Sequence, residues 1–292
     1  MEYSVEDWVH SAPGDRVEFR QAVHIILHAI SSSPYLKPKM IMKGGMLLGI
    51  RYKSSRFTED IDFSTEEKLA DIDQDEFQQE LNEALAEAAD ELPYQVKCLV
   101  QSLKIQPKGG EATFPSFNLK IGYANENNSS AMKRLSNGQS PRTVKIDYSF
   151  NETTYHTDQI ALENDEEDSI ITYGMTDLIA EKIRSIIQQP YRGRNRRQDI
   201  YDLNYLLSTI EDISSEEKLN ILTTLLKKSE IRLPEGAINS ETLDREDIRT
   251  MSKENYHLLK DEVSGELPDF DDAYQKVQDF YHSLPWDCIA GE

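Results

Sequence analysis

The chain has 292 residues, with 53 acidic against 32 Lys and Arg side chains and a formal net charge of -21. An acid excess of that size excludes broad, sequence-independent nucleic-acid binding, which rests on many Lys and Arg contacts to phosphate, but leaves room for a local basic patch or a basic partner. The 38% apolar fraction holds no run long enough to span a membrane, and the N-terminus, with Glu2, Glu6 and Asp7, lacks a signal peptide's basic and apolar regions, so a cytoplasmic protein of two packed subdomains is expected.

Residues 1 to 14, with Trp8 and Pro13, read as an N-terminal arm. From Asp15 to Ser31 the residues Val17, Phe19, Val23, Ile26, Leu27 and Ile30 recur at helical spacing and predict an amphipathic helix packed on a sheet. His24 and His28 fall four apart on it, a spacing that can bind a metal. No further His, Cys or carboxylate cluster accompanies them in the sequence, so two partly buried helix histidines are the favoured reading.

Pro38 to Met42 predicts a short strand that hands over at Gly44-Gly45 to a helix beginning near Met46, and Glu59 to Phe63 predicts a second strand. Glycines at a strand-to-helix turn let backbone N–H groups approach an anion at the positive end of a helix dipole, which suits polyphosphate. Asp60 and Asp62 leave a strand on the same face, while Ile61 and Phe63 point to the core. Two hard oxygen donors on one face suit Mg²⁺, which completes its octahedron with water and substrate phosphates. Each pattern alone is common: most glycine pairs are plain turns, and Asp-x-Asp often lies on an exposed strand. Their order and spacing, with Arg56 and Thr58 between them, carry more.

Lys43-Gly44-Gly45, an apolar helix and Arg56-Phe57-Thr58-Glu59-Asp60-Ile61-Asp62-Phe63 resemble the signature of the AbiEii-type nucleotidyltransferase toxins (AbiEii/AbiGii, MenT-like), a branch of the DNA polymerase β-like nucleotidyltransferase superfamily. The resemblance implies a mixed-sheet α/β (α+β) core. Many family members carry Ser or Thr beside the glycines where this chain has Met46.

Asp71 to Glu91 predicts an amphipathic helix with Phe77, Leu81, Ala84, Leu85 and Ala88 on one face and an acidic outer face. Tyr94 to Gln106 and Thr113 to Tyr123 alternate with period two around Pro107-Lys108-Gly109-Gly110 and read as a hairpin; Asn125 to Arg142, rich in Asn, Ser and Gly, reads as a loop. Thr143 to Ser149 alternates again, with Lys145, Asp147 and Ser149 on one face. If this strand pairs beside Asp60 to Asp62, Asp147 becomes a third carboxylate, and the resemblance implies the role of metal ligand and general base; a surface Asp on an exposed strand is the alternative. Glu163 to Asp168 is an acidic run read as a solvated turn, and Ser169 to Tyr173 is a short strand.

From Thr176 the period turns helical, with Leu178, Ile179, Ile183, Ile186 and Ile187 as the apolar stripe and Pro190 as the stop. Asp177-Leu178-Ile179-Ala180-Glu181-Lys182-Ile183 resembles the family's lysine motif, which implies that Lys182 pairs with triphosphate oxygens as charge shifts during transfer. An ordinary snorkelling helix lysine is the bland alternative. Arg192, Arg194, Arg196 and Arg197 form the concentrated basic patch of an acidic chain, leading into Asp199-Ile200-Tyr201-Asp202-Leu203 at a helix start. By resemblance the family's functional aspartate falls at Asp199; Asp202 is read as facing away, paired with Arg196 or Arg197. The arginines are either a solvated loop or a landing place for triphosphate or an RNA end. The remainder to Glu292 is read as mostly helical, with a loop-rich stretch from Leu233 to Asp247, and Cys98 and Cys288 are read as free thiols.

These readings predict a nucleotidyltransferase core over residues 1 to 174 and a helical subdomain over 175 to 292. The expected reaction is Mg²⁺-dependent transfer of a nucleoside monophosphate from an NTP. Asp60, Asp62 and Asp147 would hold metal, Lys43, Gly44, Gly45, Arg56 and Arg197 the nucleotide, and Lys182 and Asp199 would complete the catalytic set. The resemblance further implies a toxin of a toxin–antitoxin or phage-defence system, with a cognate antitoxin as partner and a tRNA acceptor end as the leading target. A protein hydroxyl or small-molecule acceptor, or a non-catalytic nucleotide-binding module, are the rivals.

Overall fold

The computed structural model describes residues 4–108, 112–163, 168–210 and 212–288. The expected turn at Gly109 and Gly110 and residues 164–167 of the acidic run lie outside the described residues. The chain divides into two compact units, Met1–Arg51 with Thr58–Tyr173 and Tyr52–Phe57 with Gly174–Glu292.

The first unit runs α1 (Val5–His10), α2 (Val17–Ser32), β1 (Ile41–Lys43), α3 (Gly44–Arg51), β2 (Asp60–Ser64), α4 (Gln74–Glu91), β3 (Val96–Gln106), β4 (Ser116–Asn125), α5 (Ser129–Ser136), β5 (Thr143–Ser149), β6 (Thr157–Ala161) and β7 (Ser169–Tyr173). Its seven strands form one mixed sheet in the order β3-β4-β5-β2-β1-β7-β6, so the α/β class is as expected. The pairs β2–β5 and β1–β7 are parallel and the other pairings antiparallel.

Alternation decides which face is core. Ile61, Phe63, Phe117, Leu119, Ile146 and Tyr148 are buried on one face of the adjacent strands β4, β5 and β2. Phe77 of α4 stacks on Tyr148 with ring centroids 5.6 Å apart and lies 5.5 Å from Phe117, which meets Phe150 edge-on at 4.9 Å. The Tyr148 hydroxyl, which cannot be buried without a partner, donates to the Lys39 carbonyl at 3.0 Å.

Several local expectations change. The N-terminal arm contains α1, because Ser4 and Asp7 form a reciprocal capping box and Val5, Trp8 and Val9 are buried. The expected loop from Asn125 to Arg142 contains α5, started by the Asn128 side chain accepting from Ala131 N. Pro38 lies in a turn, and β1 is shorter and later than the sequence suggests.

The second unit contains α6 (Met175–Ile187), α7 (Gln189–Arg192), α8 (Arg197–Thr209), α9 (Ser215–Ser229), α10 (Glu246–Lys253) and α11 (Phe270–His282). The helix α10 falls partly in the stretch read as loop; its buried Ile248 and Ser252 lie four apart on an otherwise polar surface. Asp177 and Lys228 make a fully buried ion pair at 3.0 Å between α6 and α9.

Truncating Phe77 removes the ring that fills the space over Phe117 and Tyr148. Phe77→Ala is expected to lower unfolding free energy by about 3–5 kcal/mol, read as a fall in urea midpoint at unchanged slope.

Candidate active site

The acidic face of the first unit is assembled by strand register. Lys43 on β1 is the antiparallel partner of Asp62 on β2, Asp62 is the parallel partner of Asp147 on β5, and Asp147 is the partner of Asn118 on β4. Register partners share a face, so this row projects opposite to the aromatic core. One step along the same face, Asp60 is aligned with Lys145. Asp60, Asp62 and Asp147 are therefore brought together on neighbouring strands whose backbones lie roughly 4.8 Å apart.

Each acid has a different environment. Asp60 is more than half exposed and meets the Lys145 ammonium at 3.4 Å; that ammonium also lies 3.8 Å from Glu59. Asp62 turns its carboxylate over the start of α3: a Cβ built on Gly44 would collide with Asp62 Oδ2, and Gly44 has φ +77°. Glycine is required there both for the left-handed backbone and for the close approach. It also explains why α3 begins at Gly44 rather than near Met46: the chain turns from strand to helix without an intervening loop. An acid at that end of a helix is favourably placed with respect to its dipole. Asp147 keeps a buried Oδ1 with no hydrogen-bond partner among the described residues.

Lys43 is held by Glu152, whose buried Oε2 accepts from Nζ at 2.6 Å. Glu152, Asn118 and Lys145 complete this face. Glu152 carries no sequence signal, because it reaches Lys43 from 109 residues away.

The second unit holds another cluster, built on two helices and one extended segment. Lys182 on α6 is buried and donates to Asp202 Oδ2 at 2.6 Å and to Asp199 Oδ1 at 3.2 Å, both on α8. Arg56 donates from Nε and Nη2 to the two oxygens of Asp202, each at 2.8 Å, a bidentate fork. Asp202 thus does not face away. Three residues carry a helix about 300° around its axis, which returns Asp202 to within about 60° of Asp199. Nor does it pair with Arg196 or Arg197: Arg197 donates instead to Glu262 at 2.8 Å. Asp199 keeps a buried Oδ2 with no hydrogen-bond partner among the described residues.

Burial alone would raise the Asp202 pKa, but Arg56 and then Lys182 outweigh it and hold the carboxyl down at about 2. Burial likewise opposes charge on Lys182, and Asp202 and Asp199 reverse it, so the ammonium pKa is raised. Arg56 is held in its charged form in the same way by Asp202 and Glu262. The segment carrying Arg56 is fixed by its backbone as well, with Phe57 N donating to Glu262 O at 2.7 Å and Tyr205 donating to Tyr52 O at 2.7 Å.

Between α7 and α8 the chain turns through Gly193 at φ +59°. Burial and the neighbouring Arg232, Arg184, Arg196 and Arg194 lower the Arg192 pKa, the mark of a crowded positive patch.

A mixed sheet bearing three aligned acids beside a glycine-opened helix describes a nucleotidyltransferase core. The family model for the nucleotidyl transferase AbiEii toxin of type IV toxin–antitoxin systems matches residues 25–276. This chain belongs to that family of nucleotidyltransferase toxins. Among solved structures, JHP933 from Helicobacter pylori superposes with TM-score 0.53 at 15% identity, covering 94% of this chain and 93% of its own. A second H. pylori chain, described as a candidate nucleotidyltransferase, gives 0.51 at 13% identity over 96% and 99%. At such identities these two likenesses speak for the fold. MenT4, nucleotidyltransferase toxin Rv2826c from Mycobacterium tuberculosis H37Rv, gives 0.47 at 12% identity over 96% and 97%. No curated protein sequence matches the chain.

Removing the Asp202 charge leaves Arg56 and Lys182 buried without their main counter-ion. Asp202→Asn is expected to cost about 3–5 kcal/mol at neutral pH. Because the folded pKa lies below the unfolded value, the stabilisation is fully present above pH ~4 and is lost as pH falls toward ~2, on the order of 2 kcal/mol. Urea midpoints measured from pH 5 to 2 should therefore fall less steeply in Asp202→Asn than in the wild type.

Proposed function

We propose that the chain is a Mg²⁺-dependent nucleotidyltransferase that moves a nucleoside monophosphate from an NTP to the acceptor end of a tRNA, and that a cognate antitoxin restrains it. The observation that supports this best is the row of Asp62 and Asp147 in direct register, with Asp60 one step along and Asp147 Oδ1 left without a partner among the described residues. Carboxylates crowded this way repel unless something cationic joins them.

Asp60, Asp62 and Asp147 fit Mg²⁺: three hard oxygen donors on one face, one of them a buried orphan oxygen, beside a backbone turn that suits phosphate. Bound there, Mg²⁺ would supply a Lewis acid for the phosphoryl oxygens. The backbone amides at Gly44 and Gly45 and the Lys43 ammonium, steadied by Glu152, receive the triphosphate. In this reading Asp147 accepts the proton of the acceptor hydroxyl as its oxygen attacks the α-phosphorus. The bond from the α-phosphorus to the bridging oxygen then breaks, and pyrophosphate leaves. Lys182, steadied at 3.2 Å by Asp199, is the cation assigned to the negative charge that accumulates on the leaving group. Arg56 is saturated by Asp202, so its part is to set the charge of the Lys182 cluster rather than to grip nucleotide. Arg197, tied to Glu262, is assigned with Arg192, Arg194 and Arg196 to contacts with anionic ligand.

The test is transfer of label from α-³²P NTPs to total RNA, protein and small-molecule fractions with Mg²⁺. The expected product is labelled tRNA, and labelled protein or small molecule would move the acceptor to a rival class. Asp62→Asn and Lys182→Ala are each expected to cut labelling by about 10²-fold or more while circular dichroism stays native. Gly44→Ala, whose methyl displaces the Asp62 carboxylate, is expected to lower labelling comparably. Undiminished labelling in all three variants would overturn the assignment.

A further inference from the structure

The two histidines of α2 were expected to have no accompanying carboxylate, yet the fold supplies one. His24 and His28 are buried, and Glu163, just beyond β6, brings a carboxylate to them; one ligand atom from each residue lies within 4.8 Å of the others. From this geometry we infer that His24, His28 and Glu163 form a zinc site built from residues other than the acidic row.

The hydrogen bonds around the two rings point the same way. His24 Nδ1 is 2.9 Å from the Tyr94 hydroxyl, and His28 Nε2 is 2.8 Å from Glu91 Oε2. With those nitrogens donating, the lone pairs sit on His24 Nε2 and His28 Nδ1. Both of those atoms are buried and have no hydrogen-bond partner among the described residues. Two buried imidazole nitrogens without a partner are costly to leave unsatisfied, since a buried acceptor loses its water without compensation. Metal-bound histidines typically have their other ring nitrogen fixed by a carboxylate or similar acceptor, which is the role Glu91 and Tyr94 play here.

The surroundings hold both rings in place. The helical spacing of four stacks the histidines on one face of α2. The chain beside Glu163 is pinned on two sides, with Glu6 N donating to Leu162 O at 2.9 Å and Leu162 N donating to Asp168 O at 2.8 Å.

Two imidazoles and a carboxylate are the donor set of three-coordinate protein sites for Zn²⁺, with a water as fourth ligand. Coordination at about 2.0–2.2 Å requires ligand atoms roughly 3.3 Å apart. The 4.8 Å limit on the present spacing asks for side-chain adjustment rather than backbone rearrangement. Mg²⁺ prefers all-oxygen shells and is a poor fit to these nitrogens, so the two metal sites of this unit select different ions. The zinc site joins α2 to the segment after β6, which are separated by more than a hundred residues of chain.

The test uses the full chain, stripped with chelator and dialysed against ZnCl₂. Mass spectrometry of the metal content should return one Zn²⁺ per chain that Mg²⁺ in excess does not remove, and zinc-edge X-ray absorption should show two imidazole ligands. Competition with a chromophoric chelator should show at least about 10-fold weaker zinc in His28→Gln and in Glu163→Gln, whereas Asp62→Asn should hold zinc like the wild type. Thermal denaturation should show a Tm raised by zinc in the wild type and not in Glu163→Gln. Glu163 is partly exposed, so this variant decides the matter even if the histidine variants fail to fold. The inference is overturned if the wild type retains no stoichiometric zinc, if Glu163→Gln retains it undiminished, or if Asp62→Asn abolishes it.

Discussion

Asp62 and Asp147 face one another on adjacent parallel strands, an arrangement that like charges resist. The sheet holds it because the other face of the same strands is committed. Ile61, Phe63, Ile146 and Tyr148 are buried against aromatic partners from α4 and β4, and a slip of one residue would carry that whole apolar set into water. Core burial thus fixes the register, and the register fixes the acids. The cations nearby have acids beside them: Lys145 lies between Asp60 and Glu59, and Lys43 is engaged by Glu152. A divalent ion bound between two such carboxylates would offset their mutual repulsion.

The second unit solves a different problem. Lys182 and Arg56 are buried cations, and each would be expensive alone. Asp202 serves both, taking the Arg56 fork on two oxygens and the Lys182 ammonium on one. That leaves Asp199 with a single weak claim on Lys182 at 3.2 Å and an oxygen without a partner among the described residues. In the proposed reaction Asp202 balances charge, while the open oxygen of Asp199 leaves its pairing with Lys182 able to adjust to a ligand. A buried pair of this kind is weak evidence of stability by itself, since an apolar replacement is often as stable. Its proposed part is charge placement.

Much of this was legible because it is local. Period-two alternation placed Asp60, Asp62 and Asp147 on strand faces, and helical periodicity located α2, α4 and α6. What depended on distant partners was not legible. Asp202 was misread because its partners, Arg56 and Lys182, lie on other elements; the i,i+3 spacing from Asp199 was the available signal. Glu152 and Glu163 are unremarkable glutamates until the fold delivers them to Lys43 and to His24 and His28. The missed helices have a different cause. Composition rich in Asn, Ser and Gly looks like loop, and in α5 a single capping Asn128 tips the balance toward a helix of eight residues.

In the proposed reaction the acceptor is chosen by a feature separate from the acids. A chain of net charge -21 repels polyanions at long range, so an RNA acceptor must be drawn in by a field that is locally reversed. The arginines around Gly193 supply positive charge for such a field, and burial, followed by repulsion from Arg232, Arg184, Arg196 and Arg194, lowers the pKa of Arg192. Positive charge kept crowded within an acidic protein is unfavourable for the resting chain and is relieved when phosphates neutralise it, which releases counterions and makes binding salt-dependent. The acid row is indifferent to whose hydroxyl attacks. In the proposed reaction, selectivity for an RNA end would therefore come from the arginines, and the rest of the surface, by repulsion, would limit how far along a polyanion the protein extends its grip.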